Sequence, residues 1–213
     1  MIIDTPDNCI AQIVHLQADA VTDVLRYLTT SIGSSKLVTP AEAHALGAAS
    51  IRLGLVFEVY GGADGVNDID ATDGLLDAEF CLKYVPTLGA PTDGSVCIYF
   101  ACDTDFTASH IQSMVLPYFE ALSSKLAGSG YMVGVYGSGF VCRSVCAAGY
   151  AVRSWLSGSM GWTGSKEYLA AMPKELALVQ QTMDIKIANL DADVDRAVGP
   201  SIGTFLPTVG ATS

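Results

Sequence analysis

The chain has 213 residues with 22 Asp plus Glu against 11 Lys plus Arg, so 11 − 22 gives a net charge of −11. That balance denies it the basic footprint of a nucleic-acid binder and repels it from anionic lipid surfaces. A hydrophobic share of 50% with 15% charged residues excludes disorder, and the longest stretch free of Asp, Glu, Lys and Arg, Leu126 to Cys142, falls short of the ~20 residues of a membrane span and is broken by glycines.

Short apolar runs alternate with helical patterns along the chain. Ile2-Ile3-Asp4 reads as a first strand, Cys9 to Leu16 as a helix and Thr22 to Leu28 as a second strand. Thr39-Pro40-Ala41-Glu42 is a helix start, with a threonine N-cap, proline in the first turn and glutamate three residues after the cap. That helix runs to about Ser50, and Ile51 to Glu58 is the third strand. A helix over about Gly74 to Leu88 follows a Gly/Asp-rich loop. Within that loop, Asn67 to Gly74 superficially suggests a calcium loop, but position 6 is Asp73 where an EF-hand needs glycine. A solvated loop with a helix cap is the better reading.

Ser95 to Asp103 is the fourth and clearest strand. Ser109 to Ala127 is a helix that Pro117 is expected to bend. Tyr131 to Tyr136 is a fifth strand, about Gly139 to Ala148 a helix and Ala151 to Trp155 a sixth strand. Leu176 to Gln181 and Ile185 to Asp193 are candidates for the seventh and eighth, with little helix between them.

This β–α alternation predicts an α/β fold, a compact TIM-like (β/α) barrel of parallel strands with reduced late helices. An open doubly wound sheet is the rival. No phosphate-binding glycine motif is present. One barrel domain is expected over 1–199, with 200–213 as a loosely held tail. The six cysteines show no C-x-x-C spacing and the three histidines are isolated, so buried thiols in a reducing compartment are expected, with no metal and no cofactor. Met1-Ile2-Ile3-Asp4 lacks the basic start and apolar run of a signal peptide, so synthesis in the cytoplasm is expected, with any wall substrate reached by another route.

Strand after strand ends in a polar or aromatic residue: Asp4, Arg26-Tyr27, Glu58, Asp103-Thr104-Asp105, Tyr136, Trp155, Gln180-Gln181 and Asp191-Ala192-Asp193. In a barrel these ends converge on one face, where the active sites of such folds lie. Aromatics for sugar faces, with carboxylates and amides for hydroxyls, together suggest a saccharide site. Asp103 and Asp105, two apart on a strand, point the same way with Cα atoms about 6.6 Å apart. Like charges that close raise one pKa, keeping one carboxyl as a general acid beside an ionised partner. A turn built on Asp side chains, or the metal-binding D-x-D of a nucleotide-sugar transferase, are the other readings of the same residues.

Tyr27-Leu28, Lys36 to Ala43, the strand closing on Glu58, Leu88-Gly89-Ala90-Pro91, Ile98 to Asp103 and Val133 to Gly137 occur in an order and spacing that resembles the glycoside-hydrolase-like domain of unknown function 1906, itself distantly similar to the family 25 lysozymes. The resemblance spans about Ile2 to Val198. It implies a TIM-like barrel whose strand-four Asp-x-Glu falls on Asp103 and Asp105, with aspartate standing where the lysozymes carry the acidic glutamate. It also matches a strand-one aspartate to Asp4, Asp-x-Asn to Asp193-Val194-Asp195, and a strand-seven glutamine to Gln180 or Gln181.

The expected function is hydrolysis of an N-acetylated, peptidoglycan-like glycan. Asp105 or Glu58 would be the acid, and Asp103 would polarise the acetamido group or water. Asp4 and Asp193 would hold the polar network, while Tyr27, Tyr136, Trp155 and Gln181 line the sugar subsites. A non-catalytic glycan-binding barrel is the alternative, favoured by the aspartate on strand four.

Overall fold

A computed structural model describes residues 1–31, 33–59, 69–199 and 201–208. Eight strands close into a barrel in sequence order: β1 (Ile2–Asp4), β2 (Asp23–Leu28), β3 (Arg52–Phe57), β4 (Val96–Ala101), β5 (Tyr131–Gly137), β6 (Arg153–Leu156), β7 (Leu176–Ile187) and β8 (Leu190–Ala197). Strands β1 to β7 are parallel, as the alternation predicts. The eighth is not: β8 runs antiparallel to both β7 and β1. The expected eighth strand at Ile185–Asp193 straddles a hairpin, because Ile185–Ile187 continues β7 and the chain reverses at Ala188 and Asn189. Both have positive φ, 50° and 65°, the backbone of a tight two-residue hairpin turn.

The connecting helices, beginning with the short α1 (Ile13–Ala18) between β1 and β2, follow local chemistry. In α2 (Pro40–Ala48), Thr39 caps the Glu42 amide and Pro40 opens the first turn. In α3 (Ala71–Tyr84), Asp70 accepts from the Thr72 and Asp73 amides while Asp73 reaches back to the Asp70 amide. This reciprocal cap is what the acidic loop supplies; Asn67 and Asp68 lie outside the described residues. The helix before β5 is interrupted as expected near Pro117, in the form of a π-helical turn (Ile111–Val115) between α4 (Ala108–His110) and α5 (Leu116–Leu126). Proline has no N–H for the carbonyl four residues back, and its ring crowds it. The late helices are indeed reduced. Helix α6 (Gly139–Ala147) leads from β5 towards β6, a short α7 (Ser165–Ala171) joins β6 to β7, and no helix joins β7 to β8.

Two apolar layers hold the barrel. The inner one is Leu25, Val56, Cys97, Tyr99, Trp155 and Leu178. The outer one packs the other strand faces against the helices, with Leu53, Leu55, Phe57, Ile98 and Phe100 among its members. Gly134 is small for a reason: a Cβ there would lie 2.6 Å from the Tyr99 ring. The cysteines are free, and all but the half-buried Cys146 are buried.

The base of the barrel corrects another expectation. Residues 201–208 are tied across it rather than loose. Phe205 pairs with Leu53 through two backbone bonds of 2.8 and 2.9 Å, and the Cys97 amide donates to Gly203 O at 3.0 Å. The Tyr99 hydroxyl donates to Ile202 O, and Thr204 Oγ1 donates to Asp23. Phe205 is almost wholly buried.

Candidate active site

At the C-terminal mouth of the barrel lies an open cavity of about 250 Å³, just below the range of about 300–1,000 Å³ usual for ligand sites. Its walls include Tyr27, Glu58, Asp103, Tyr136, Trp155 and Asp193, all expected from the sequence, together with Gln180, Ser159, Met183 and Asp184. Each of the first group sits at or just beyond the C-terminal end of a parallel strand, except Asp193. That residue enters from the antiparallel β8, directly opposite Asp4 of β1.

Gln180 is the hub. Its Nε2 donates to Asp193 Oδ2 at 2.6 Å and to Asp4 Oδ2 at 3.4 Å. Its Oε1 accepts from the Gly158 amide at 3.0 Å and from the Tyr136 hydroxyl at 3.2 Å. Both donors and both lone pairs of the amide are thus committed. A bulge in β7 brings the Asp184 amide to Asp193 Oδ1 at 2.7 Å and aims Met183 and Asp184 at the cavity.

Behind the cavity, Asp4 and Asp195 are buried side by side. Tyr27 Oη donates to Asp4 Oδ1 at 3.2 Å, and Trp155 Nε1 donates to Asp195 Oδ1 at 2.8 Å. Asp195 Oδ2 is buried with no donor facing it. Burial, followed by the Asp4 charge, holds the Asp195 carboxyl well above its usual range. A side-chain hydrogen bond joins the two carboxyls, and such a bond between carboxyls requires one proton held between them. Burial and the Asp193 charge push Asp4 up to about 7, against the donors Gln180, Asp195 and Tyr27.

Glu58 is buried at the opposite wall, with Lys36 ion-paired to it; the Lys36 ammonium also lies 4.3 Å over the Tyr27 ring. Burial raises the Glu58 carboxyl, and Lys36 opposes that rise without cancelling it. Asp193 is raised too, by burial first, opposed by the Asp184 amide.

Three expected site residues are placed differently. Asp105 does not line the cavity: its exposed carboxylate accepts from Thr163 N at 2.9 Å and from Thr163 Oγ1 at 3.0 Å. The strand-spacing argument does not reach it because β4 stops at Ala101, leaving Asp103 and Asp105 in the following loop. Gln181 is exposed and Gln180 takes the inward position, two residues after the interior Leu178. Trp155 is 1% exposed, edge-on to Tyr99 and Tyr136 at 5.8 and 4.9 Å, so it forms a floor rather than an open stacking face. Arg26, also at a strand end, points outward into a buried pair with Glu42. The sequence assigns no role in the site to Asp184, Ser159 or Lys36, and to Asp195 only its match to the strand-eight motif. For Asp195 a signal existed: it is two residues from Asp193 on one strand, so it shares that face.

Known proteins resemble this chain at the level of family and fold. The model of the Rv2525c-like, glycoside hydrolase-like domain family matches residues 14–196. The crystal structures of the Mycobacterium tuberculosis Tat-secreted protein Rv2525c, in complex with L-tartrate and with HEPES, superpose with TM-scores of 0.77 and 0.76. Each is 19% identical, with 95% of this chain and 97% of that chain covered. An uncharacterized protein of B. stearothermophilus gives a TM-score of 0.65 at 14% identity, covering 92% and 94%. At such identities the likeness concerns the fold alone. No curated protein sequence matches the chain.

Proposed function

Because the chain belongs to the Rv2525c-like family of glycoside hydrolase-like domains, we propose that the mouth of its barrel is a saccharide site that hydrolyses an amino-sugar glycan of the N-acetylated, peptidoglycan-like kind. The observation that carries this is the convergence of Glu58, Asp103 and Asp193 with Tyr27 and Tyr136 on one open cavity. In this reading Glu58 is the general acid. Its burial raises its carboxyl above the usual range, which favours proton donation, and Lys36 beside it stabilises the carboxylate left after proton transfer. Asp103 faces it and orients the acetamido group or water. Asp4, Gln180 and Asp193 form the rigid polar frame.

The engagement of Asp105 by both donors of Thr163 favours a second reading, a glycan-binding barrel without hydrolysis. Purified protein incubated with cell-wall sacculi and N-acetylated oligosaccharides, assayed for new reducing ends from pH 4 to 8, separates the two. The hydrolase reading expects release that is lost in Glu58→Gln and Asp103→Asn and kept in Asp105→Asn. Saturable binding with no release in the wild type would establish the second reading. Neither binding nor release would overturn both.

A further inference from the structure

The apolar part of the cavity wall is mostly sealed. Val56 and Trp155 are 2% and 1% exposed and form the floor, and the half-buried Ala101 offers a single methyl. Met183 differs. It is 41% exposed, and of the large apolar side chains exposed among the described residues it alone lines this cavity. An apolar side chain left in water at a concave site gains by covering an apolar group.

The place of Met183 is built by its neighbours. The β7–β8 register slips between Thr182 and Ile185, so Met183 and Asp184 stand in the bulge. Asp184 holds a positive φ of 57°, a backbone state that persists where surrounding contacts enforce it, and its amide is tied to Asp193 Oδ1. Beside the bulge lies Gly158, whose amide donates to Gln180 Oε1. A Cβ on that glycine would lie 2.9 Å from Met183 Sδ and 3.2 Å from its Cγ. The methionine thus rests on a residue without a side chain, at the edge of the frame made by Gln180 and Asp193.

An acetamido group has two halves. Its N–H and C=O need polar partners, the part given to Asp103 above, whereas its methyl needs an apolar surface that no carboxylate or amide supplies. The unbranched, polarizable side chain of methionine adapts to such small groups. We propose that Met183 is the specificity-determining residue for the acetyl methyl: its side chain covers that methyl, so the cavity prefers an N-acetylated unit over the same unit carrying a formyl group. The inference rests on the saccharide reading and deepens it by naming the residue that reads the acetyl group.

The test is an NMR titration of the full chain, labelled with ¹³C at its methionine methyls, with tetramers of N-acetylglucosamine and of N-formylglucosamine. The two ligands keep the amide and differ by the methyl alone, and affinities are read from spectra recorded before any cleavage accumulates. The acetylated tetramer should bind about fourfold more tightly, the worth of one buried methyl-sized group. The Met183 methyl signal, identified by its absence from Met183→Leu, should shift on binding and show a nuclear Overhauser contact to an acetyl methyl. Met183→Ser, at an exposed position, should bind both tetramers alike, and Met183→Leu should keep the preference. Equal wild-type affinities overturn the methyl contact while the saccharide site stands. A preference that survives in Met183→Ser, with or without a general loss of affinity, assigns the methyl to another wall and also overturns it. No binding of either tetramer removes the saccharide reading itself.

Discussion

The indole Nε1 of Trp155 donates to Oδ1 of Asp195 at 2.8 Å, fixing a carboxyl whose other oxygen faces no donor. A floor residue of the cavity is thereby tied to the proton shared between Asp195 and Asp4.

An asparagine at position 195 can accept from Trp155 and donate to Asp4, reproducing both roles of a protonated acid. Asp195→Asn should therefore cost under about 1 kcal/mol. Asp195→Ala strands the buried indole N–H and should cost about 1–3 kcal/mol for that alone. Urea denaturation measures both, and equal losses would contradict a proton-donating Asp195.

The same carboxyls set a pH dependence. Burial and the Asp193 charge push Asp4 from 3.8 up to about 7, and burial raises Asp195, Glu58 and Asp193 as well. Between those two values of Asp4 the folded chain holds a proton that the unfolded chain has released, so its stability contribution is complete below about pH 4 and lost as pH rises to about 7. Tm should fall from pH 5 to 7.5, and Asp4→Asn should flatten much of that slope. A wild-type Tm that climbs over this interval would be the contrary result.

Arg26 and Glu42 form a fully buried ion pair 2.7 Å apart. Glu42 also accepts from the Cys9 amide and the Asn8 side chain. Removing one partner leaves a charge buried and uncompensated. Arg26→Met or Glu42→Gln should each cost about 3–5 kcal/mol, and the double variant less than their sum. Chemical denaturation of the cycle checks this, with strict additivity as the refuting outcome.

The strap across the base should matter to stability and not to the mouth. Phe205→Ala should lower unfolding free energy by about 3–5 kcal/mol and leave saccharide affinity within twofold. A change under 1 kcal/mol would show that the strap is only laid on the barrel.

Most of the framework was legible because local chemistry agreed with the fold. Thr39 and Pro40 announced α2, and the β-branched and aromatic run at Val96–Ala101 announced β4. What was illegible has physical causes. Barrel strands are buried on both faces, so Leu176 to Val179 shows no alternation to decide whether Gln180 or Gln181 turns inward. The final hairpin turn uses Ala188 and Asn189 without the glycine that usually marks such turns. Asp105 was expected beside Asp103 by a rule that holds only while the strand continues, and its partner Thr163 is supplied by a distant segment. Glu42, placed as a helix-cap glutamate, spends its carboxylate on Arg26, a contact that tertiary packing alone creates.

The antiparallel β8 has a bearing on how the molecule comes into being. Strand β1 is made first, yet its second edge is covered only by β8, through Ile2 with Asp195 and Asp4 with Asp193. That pairing spans nearly the whole chain, so loop closure delays it and makes it a late event in folding. Until it forms, an emerging chain carries an open sheet edge, vulnerable to association with its neighbours. The same step brings Asp193 and Asp195 to Asp4, so a partly folded molecule lacks both a sealed barrel and a finished cavity.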